Sequence, residues 1–356
     1  MSKSAISQLF SQSLQLQQLQ NAISENEKNI SITGLSGSAT SFFIAEAFKK
    51  TDIPYLVILE DKEEAAYVLN DIEQFLGDKD VLFYPGSYRR PYQIEETDNA
   101  NVLLRAEVLN RINSRKKPAL LVTYADAIFE KVVTRKELEK NTLKIKLNDT
   151  ITLDFLNEVL FEYHFKRVDF VTEPGEFSVR GGIVDVFSFS HDEPYRIEFF
   201  GDEVDTIRTF DVETQLSTEQ IKKITIIPNV ENKTLEETRE SFLKYISPET
   251  VIFTKNPILI GARLDTLLEK AHMAFSKLSK EIKHGTPEEL FLSAALCKAQ
   301  LAKFSVATLA PSKKNGLITF NTTPQPSFNK KFELLIDDLN QNHQKGFTNY
   351  LFCASD

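Results

Sequence analysis

Three groups of residues in this 356-residue chain have the types and spacing to do chemistry. The first is the loop Gly34-Leu-Ser-Gly-Ser-Ala-Thr-Ser41. A working phosphate-binding loop reads G-x-x-x-x-G-K-[ST] between a strand and a helix. Its backbone N–H groups wrap the phosphates, its lysine neutralises their charge and its hydroxyl holds Mg²⁺. Gly34 takes the first glycine's place and Ser41 the hydroxyl's, with Gly37 inside the loop. Ala39 stands where the second glycine belongs and Thr40 where the lysine belongs. The methyl of Ala39 obstructs close backbone approach, and Thr40 brings no positive charge. The loop reads as a degenerate P-loop, expected to hydrolyse no ATP; a Gly/Ser-rich strand-to-helix turn with no nucleotide history fits the same residues. Leu56-Val-Ile-Leu-Glu-Asp61 imitates the acid-ended strand that holds a metal in nucleotide hydrolases. Without a working P-loop lysine to accompany them, Glu60 and Asp61 read as a solvated strand end.

The second group is Phe170-Val-Thr-Glu-Pro-Gly-Glu-Phe-Ser-Val-Arg-Gly-Gly-Ile-Val-Asp-Val-Phe187. Strand alternation puts Phe177 and Val179 on one face and Ser178 and Arg180 on the other. Val184 and Val186 then share a face, with Asp185 and Phe187 opposite. Arginine beside an aromatic is a common anchor of protein interfaces; a solvated strand face fits the same spacing. The third group is basic, Arg89-Arg90 and Arg111 to Lys117 (RINSRKK). It suits DNA phosphates, and equally suits solvated loops.

The elements that must hold these groups follow from periodicity and turn residues. Residues 5–24 read as a helix, 29–33 as a strand, and Phe42 to Lys50 as the helix after the loop. Strands at 54–59, 80–84 and 119–123 alternate with helices at 62–75, 99–112 and 125–132, which argues for a parallel α/β sheet. Near Asn141 the pattern changes. From Leu143 to about Val230 it is mostly strands (168–172, 177–180, 183–187, 195–200, 203–210), punctuated by Gly and Pro as hairpins require. From Asn232 helices return at 235–245, 257–279, 287–303 and 328–343, with strands at 317–321 and 348–353. The apolar, abrupt end NYLFCASD reads as a core strand cut short, so the chain is expected to be a fragment of a longer protein.

On these residues a resemblance can be stated. EPGEFSVRGGIVDVF and Pro194 to Gln215 (PYRIEFFGDEVDTIRTFDVETQ) are similar to domain 2 of the excision-repair protein UvrB and of the bacterial transcription-repair coupling factors, the Mfd family. The order of elements resembles the N-terminal UvrB-like module of that family. The likeness covers essentially the whole chain, strongly at 165–215 and weakly after 232. It implies a degenerate RecA-like α/β domain 1A at 1–141, an inserted β-rich domain 2 at 142–231, and an α/β domain 1B at 232–356 packing on 1A. UvrB itself keeps the loop lysine and a long Tyr-rich hairpin after the strand equivalent to 80–84. Here Thr40 replaces the lysine, and Pro85 to Tyr92 runs soon into a helix, leaving Tyr84, Tyr88 and Tyr92 to pack locally. Both departures fit the coupling factors.

The resemblance also implies a partner. In the family, arginines on domain 2 meet an acidic surface of UvrA, and Arg167 and Arg180 fall on two such positions. Ser178 stands where UvrB has a further arginine, which thins the contact set. Glu176 and Phe187 are further candidates, with turn solvation and core packing as their competing roles. The implied role is an adaptor that recruits UvrA for nucleotide excision repair after the motor part of the full protein displaces stalled RNA polymerase. No cofactor or metal is expected in this chain. ATP and Mg²⁺ belong to motor domains elsewhere, as do the contacts with RNA polymerase and double-stranded DNA. Contact with the C-terminal domain is expected to mask the UvrA site. The alternative is a UvrB-type ATP-dependent damage-recognition subunit.

Composition is compatible with this. Hydrophobic residues make up 42% and charged residues 26%, with 27 Phe, 10 Tyr and no Trp. That is enough to bury sizeable cores. A net charge of −9 disfavours free nucleic-acid binding by the chain as a whole. Two cysteines, Cys297 and Cys353, lie among apolar neighbours and read as reduced core residues. The five histidines show no metal-ligand spacing. No apolar run is long enough to span a bilayer, and the start lacks a secretory apolar core. The expected location is the cytoplasm, away from membranes.

Overall fold

The computed structural model describes residues 10–77, 80–87, 92, 99–114, 117–189, 191, 193–227, 238–278, 285–310, 317–324 and 326–349. The first segment runs α1 (Leu14–Ser24), β1 (Asn29–Thr33), α2 (Ala39–Thr51), β2 (Tyr55–Leu59), α3 (Lys62–Leu76), β3 (Val81–Tyr84), α4 (Asn99–Ser114), β4 (Leu120–Tyr124) and α5 (Ala125–Phe129). Every residue of β2 is buried, as a parallel strand covered on both faces by helices must be. Helix α3 starts at Asp61, whose carboxylate accepts the Glu64 N–H at 2.8 Å, and stops at Gly77. Asp61 of the acid-ended strand is therefore a helix cap.

The segment ends with β5 (Val132–Val133) and α6 (Arg135–Lys140). The helix expected over 125–132 stops at Phe129, and Val132–Val133 instead pairs with Glu240 and Arg239. The middle segment holds β6 (Leu143–Lys146), α7 (Leu153–Glu162), β7 (Lys166–Arg167), β8 (Glu176–Arg180), β9 (Ile183–Val186), β10 (Tyr195–Phe200), β11 (Glu203–Phe210), β12 (Ser217–Gln220) and β13 (Lys223–Ile226). Strands β7 to β12 form one six-stranded sheet in sequence order. Its pairings are antiparallel except β7 with β8. Helix α7 lies in a stretch whose sequence reads as strands and turns. Thr152 caps it by accepting the Phe155 N–H at 3.1 Å, and Leu156 and Leu160 bury its inner face.

The third segment contains β14 (Arg239–Glu240), α8 (Phe242–Tyr245), β15 (Val251–Thr254), α9 (Pro257–Phe275), α10 (Pro287–Leu290), α11 (Ala294–Leu301), β16 (Ser305–Ala310), β17 (Ile318–Thr319) and α12 (Phe332–Gln344). The helix expected over 287–303 is broken in two. Between its halves Phe291 bridges to Glu130 and stacks on Phe129 at 4.6 Å. The expected strand at 348–353 lies largely outside the described residues.

The first and third segments share one sheet. Its seven strands run parallel in the order β17-β1-β16-β15-β2-β4-β3, so β15 and β16 sit between β1 and β2. The third segment does more than pack on the first: it completes its sheet. The α/β class expected from the sequence holds, with the six-stranded sheet standing apart. Among the described residues no helix is long and apolar enough to cross a membrane.

Candidate partner-binding surface

Strands β8 and β9 meet at Gly181-Gly182, where Gly181 has φ 61°, a turn backbone that favours glycine. Register across the sheet aligns Ser178 with Asp185, Asp185 with Arg196, and Arg196 with Arg208. These residues line one face. The opposite face carries Phe177, Val184, Val186, Ile197 and Ile207, all buried. Helix α7 packs there, with Phe161 edge-on to Phe177 at 5.2 Å.

The polar face is organised around Asp185, which is 1% exposed. Arg196 grips it with two bonds, Nε to Oδ1 at 2.7 Å and Nη2 to Oδ2 at 2.9 Å. Bidentate pairing is the strong form of this contact, and the hydrogen bond to Asp185 raises the Arg196 guanidinium above its ordinary pKa. Arg196 also lies over the buried Phe210 ring at 4.5 Å. On the other side, Arg180 Nη2 pairs with Asp185 Oδ2. Asp185 thus holds two arginines, one enclosed and one 40% exposed.

Residues 168–172, read from the sequence as a strand, fold across this face instead. The Asp169 carbonyl accepts from Ser178 Oγ at 3.1 Å and from Arg180 Nη1 at 3.2 Å. Val171 is buried with Phe187 and Phe210 in a small cluster of its own. Glu176 ties the turn: its carboxylate accepts from the Thr172 N–H, the Thr172 hydroxyl and the Glu173 N–H. Gly175, at φ 88°, has no room for a side chain, since a Cβ would meet the Phe189 ring at 2.9 Å.

The loop before α2 is built differently. Gly34 has φ 79°, and a Cβ there would lie 2.0 Å from the Phe320 carbonyl oxygen. Thr322 donates its hydroxyl to the Gly34 carbonyl at 2.7 Å and lies 2.9 Å from the Ser36 hydroxyl. The loop is thus bound to the chain that follows β17. A cavity of about 520 Å³ faces Ser38, Thr40 and Ser41. Lys255 reaches it from the end of β15, but Glu64 already meets that charge.

Residues 143–231 match the model of the UvrB interaction domain. The middle segment is similar to that family over nearly its whole length. The chain is also 33% identical over 208 residues to the transcription-repair-coupling factor of Bacillus subtilis, covering 58% of this chain and 18% of that protein. The Rickettsia bellii factor is 30% identical over 224 residues, 62% of this chain and 20% of that protein. The Escherichia coli factor is 27% identical over 194 residues, 54% and 17%. The chain therefore spans about a fifth of the length of the curated relatives it matches, and it resembles their N-terminal module.

Within the middle segment the sequence candidates separate. Register sets Lys166 beside Glu176 and Arg167 beside Phe177. Lys166 therefore shares Arg180's side of the sheet, 3.9 Å from the Glu176 carboxylate. Arg167 turns to the other side, exposed at the sheet edge. Phe187 is only 6% exposed and packs with Val171 and Phe210, while Glu176 is spent on its turn. Neither is presented to a partner in this conformation. Sequence reading missed Asp185 and Arg196 as the pair that organises the face. Their signal was an acid within an apolar strand and an arginine in register on the next.

The remaining candidates lie elsewhere. Arg111 pairs with Glu107 at 2.9 Å along α4; Arg89, Arg90, Arg115, Lys116, Tyr88 and Cys353 fall outside the described residues. Tyr84 stacks on Phe242 at 3.9 Å, and Tyr92 donates to the Gly285 carbonyl at 2.7 Å. Cys297 is buried, and burial pushes its thiol up to about 12, so it is inert at neutral pH.

Proposed function

We propose that this chain is an adaptor module of transcription-coupled excision repair that recruits UvrA through its UvrB interaction domain. The match at 143–231 carries this reading, together with the three relatives named above, each a transcription-repair-coupling factor. The contact surface lies around Arg180, with Arg167 at the neighbouring edge, facing an acidic patch of UvrA. Long-range attraction of this kind governs encounter rate, and a charge pair desolvated in the complex governs lifetime. In the full-length protein a motor displaces stalled RNA polymerase on double-stranded DNA, and this module delivers UvrA to the lesion. Contact with the C-terminal part masks the same surface until DNA or polymerase engages, a shift between two populated arrangements. The module works in the cytoplasm.

The chain takes no part in ATP hydrolysis. Thr40 occupies the lysine's position, Ala39 the second glycine's, and Lys255 in the adjoining cavity is neutralised by Glu64. A UvrB-type ATP-dependent subunit is disfavoured on the same grounds and by the relatives. Capture of purified UvrA by the purified chain tests the reading. The wild type is expected to bind and the Arg167→Glu, Arg180→Glu double variant to lose binding. No capture by the wild type would overturn the adaptor role; equal capture by both would overturn the assigned surface.

A further inference from the structure

Phe170 lies beside Arg180 and is 62% exposed, although burial of so large an apolar ring favours the folded state. Scattered exposed apolar residues are ordinary on a protein surface. Phe170 differs from them in how it is held. The residue before it, Asp169, is pinned through a carbonyl that accepts from both Ser178 and Arg180. The residue after it, Val171, is fully buried, and its carbonyl accepts from Gln215 Nε2 at 3.1 Å. The backbone on both sides of Phe170 is fixed, and its ring is directed outward between them.

The ring is also paired. The Arg180 guanidinium lies 5.5 Å from its centroid, within cation–π range. Three other arginine–aromatic stacks occur among the described residues, on Tyr84, Tyr245 and Phe210. All three of those rings are buried. The Phe170 pair is the stack of the four whose ring faces solvent. Arg180 spends Nη1 on Asp169 and Nη2 on Asp185. A guanidinium has five donor hydrogens, so donors remain for an incoming carboxylate.

We propose that Phe170 is a direct contact for the partner that Arg180 engages, the two forming a preformed aromatic–guanidinium anchor. The partner surface that fits is a carboxylate next to an apolar recess: the carboxylate meets Arg180 and the recess takes the ring. Seating the ring excludes water from the charge pair beside it, which strengthens that pair. Because loop and guanidinium are already held, little conformational freedom is lost on binding. Asp185 and Arg196 act on this contact through Arg180's orientation and are positioning residues. The proposal rests on the UvrA reading above, and extends it to a residue that the charge-based reading leaves out.

The test is titration of purified UvrA against the intact chain and four variants: Phe170→Ala, Phe170→Trp, Arg180→Ala and the Phe170→Ala, Arg180→Ala double variant. Phe200→Ala, an 82% exposed phenylalanine at the end of β10, is the control. Phe170→Ala is expected to weaken binding about tenfold or more, the scale of an interface hot spot. Its melting temperature stays near wild type, because the ring is mostly exposed. Phe170→Trp keeps most of the affinity, and the double variant loses less than the two single losses combined. Wild-type affinity for Phe170→Ala alongside weakened Arg180→Ala overturns the anchor and leaves the UvrA reading standing. Equal losses in Phe170→Ala and Phe200→Ala also overturn it. Failure of the wild type to bind overturns both.

Discussion

The Asp185 carboxylate is held by Arg196 through two bonds, 2.7 and 2.9 Å long, in a position 1% exposed. A buried carboxylate is costly unless its charge is met on every side. Here the enclosed Arg196 meets it from the neighbouring strand β10 and the partly exposed Arg180 from β8. The pair therefore links the stability of the middle segment to the orientation of the exposed Arg180. Asp185→Asn keeps the shape and removes the charge, leaving Arg196, itself only 14% exposed, without a counter-ion. The expected cost is about 3 kcal/mol, read as a lower urea midpoint at unchanged slope. An unchanged midpoint would mean that the pair contributes no net stability.

Gly34 and Gly37 separate crowding from backbone strain. Both have positive φ, so alanine is strained at either. Only at Gly34 would the new Cβ collide with backbone, 2.0 Å from the Phe320 oxygen; at Gly37 it meets nothing within 4 Å. Gly37→Ala should cost about 1 kcal/mol and Gly34→Ala clearly more. Equal losses in thermal melts would contradict the close approach of the loop to the chain after β17.

Alkaline pH should destabilise the fold through groups buried in neutral form. The Cys297 thiol is pushed from 9.0 to about 12 and the Tyr163 phenol from 10.0 to about 12, both mainly by burial. Above pH about 9 the unfolded chain loses these protons before the folded chain does. Stability from these groups is whole below the unfolded values and declines as pH rises through the folded ones. Cys297→Ala should therefore show a shallower loss of stability than wild type just above pH 9. Superimposable profiles would remove Cys297 from this account.

Restoring one residue should not restore an ATPase. In Thr40→Lys the new ammonium enters a cavity where Ala39 still replaces the second glycine and Thr322 still bonds Gly34 and approaches Ser36. Phosphate release from MgATP is expected at background for both wild type and variant. Turnover by the variant would show that the lysine alone was missing.

The sequence made some of this legible and hid the rest for identifiable reasons. Strand β2 and helix α3 stood out because a continuous apolar run and a capped amphipathic stretch are unambiguous. Val251–Thr254 and Ser305–Ala310 escaped notice as strands. The first is four residues long and the second is rich in small residues, yet both pair in the middle of the large sheet. Helix α7 was hidden by the hairpins around it, although Thr152 and the spacing of Leu153, Leu156 and Leu160 carried its signal. In the candidate site, alternation separated Arg180 from Phe177 correctly but could not say which face the chain itself covers. That is why the burial of Asp185 was not foreseen and 168–172 read as a strand. Its folding across the polar face depends on contacts from Ser178, Arg180 and Gln215, all distant in the local pattern.

The most direct measurement of the central claim is the dissociation constant of purified UvrA for this chain, with wild type and Arg180→Ala compared at one salt concentration. The account predicts saturable wild-type binding and a loss of about 30-fold or more in the variant, the scale of truncating one partner of a desolvated charge pair. Absence of saturable wild-type binding would contradict it.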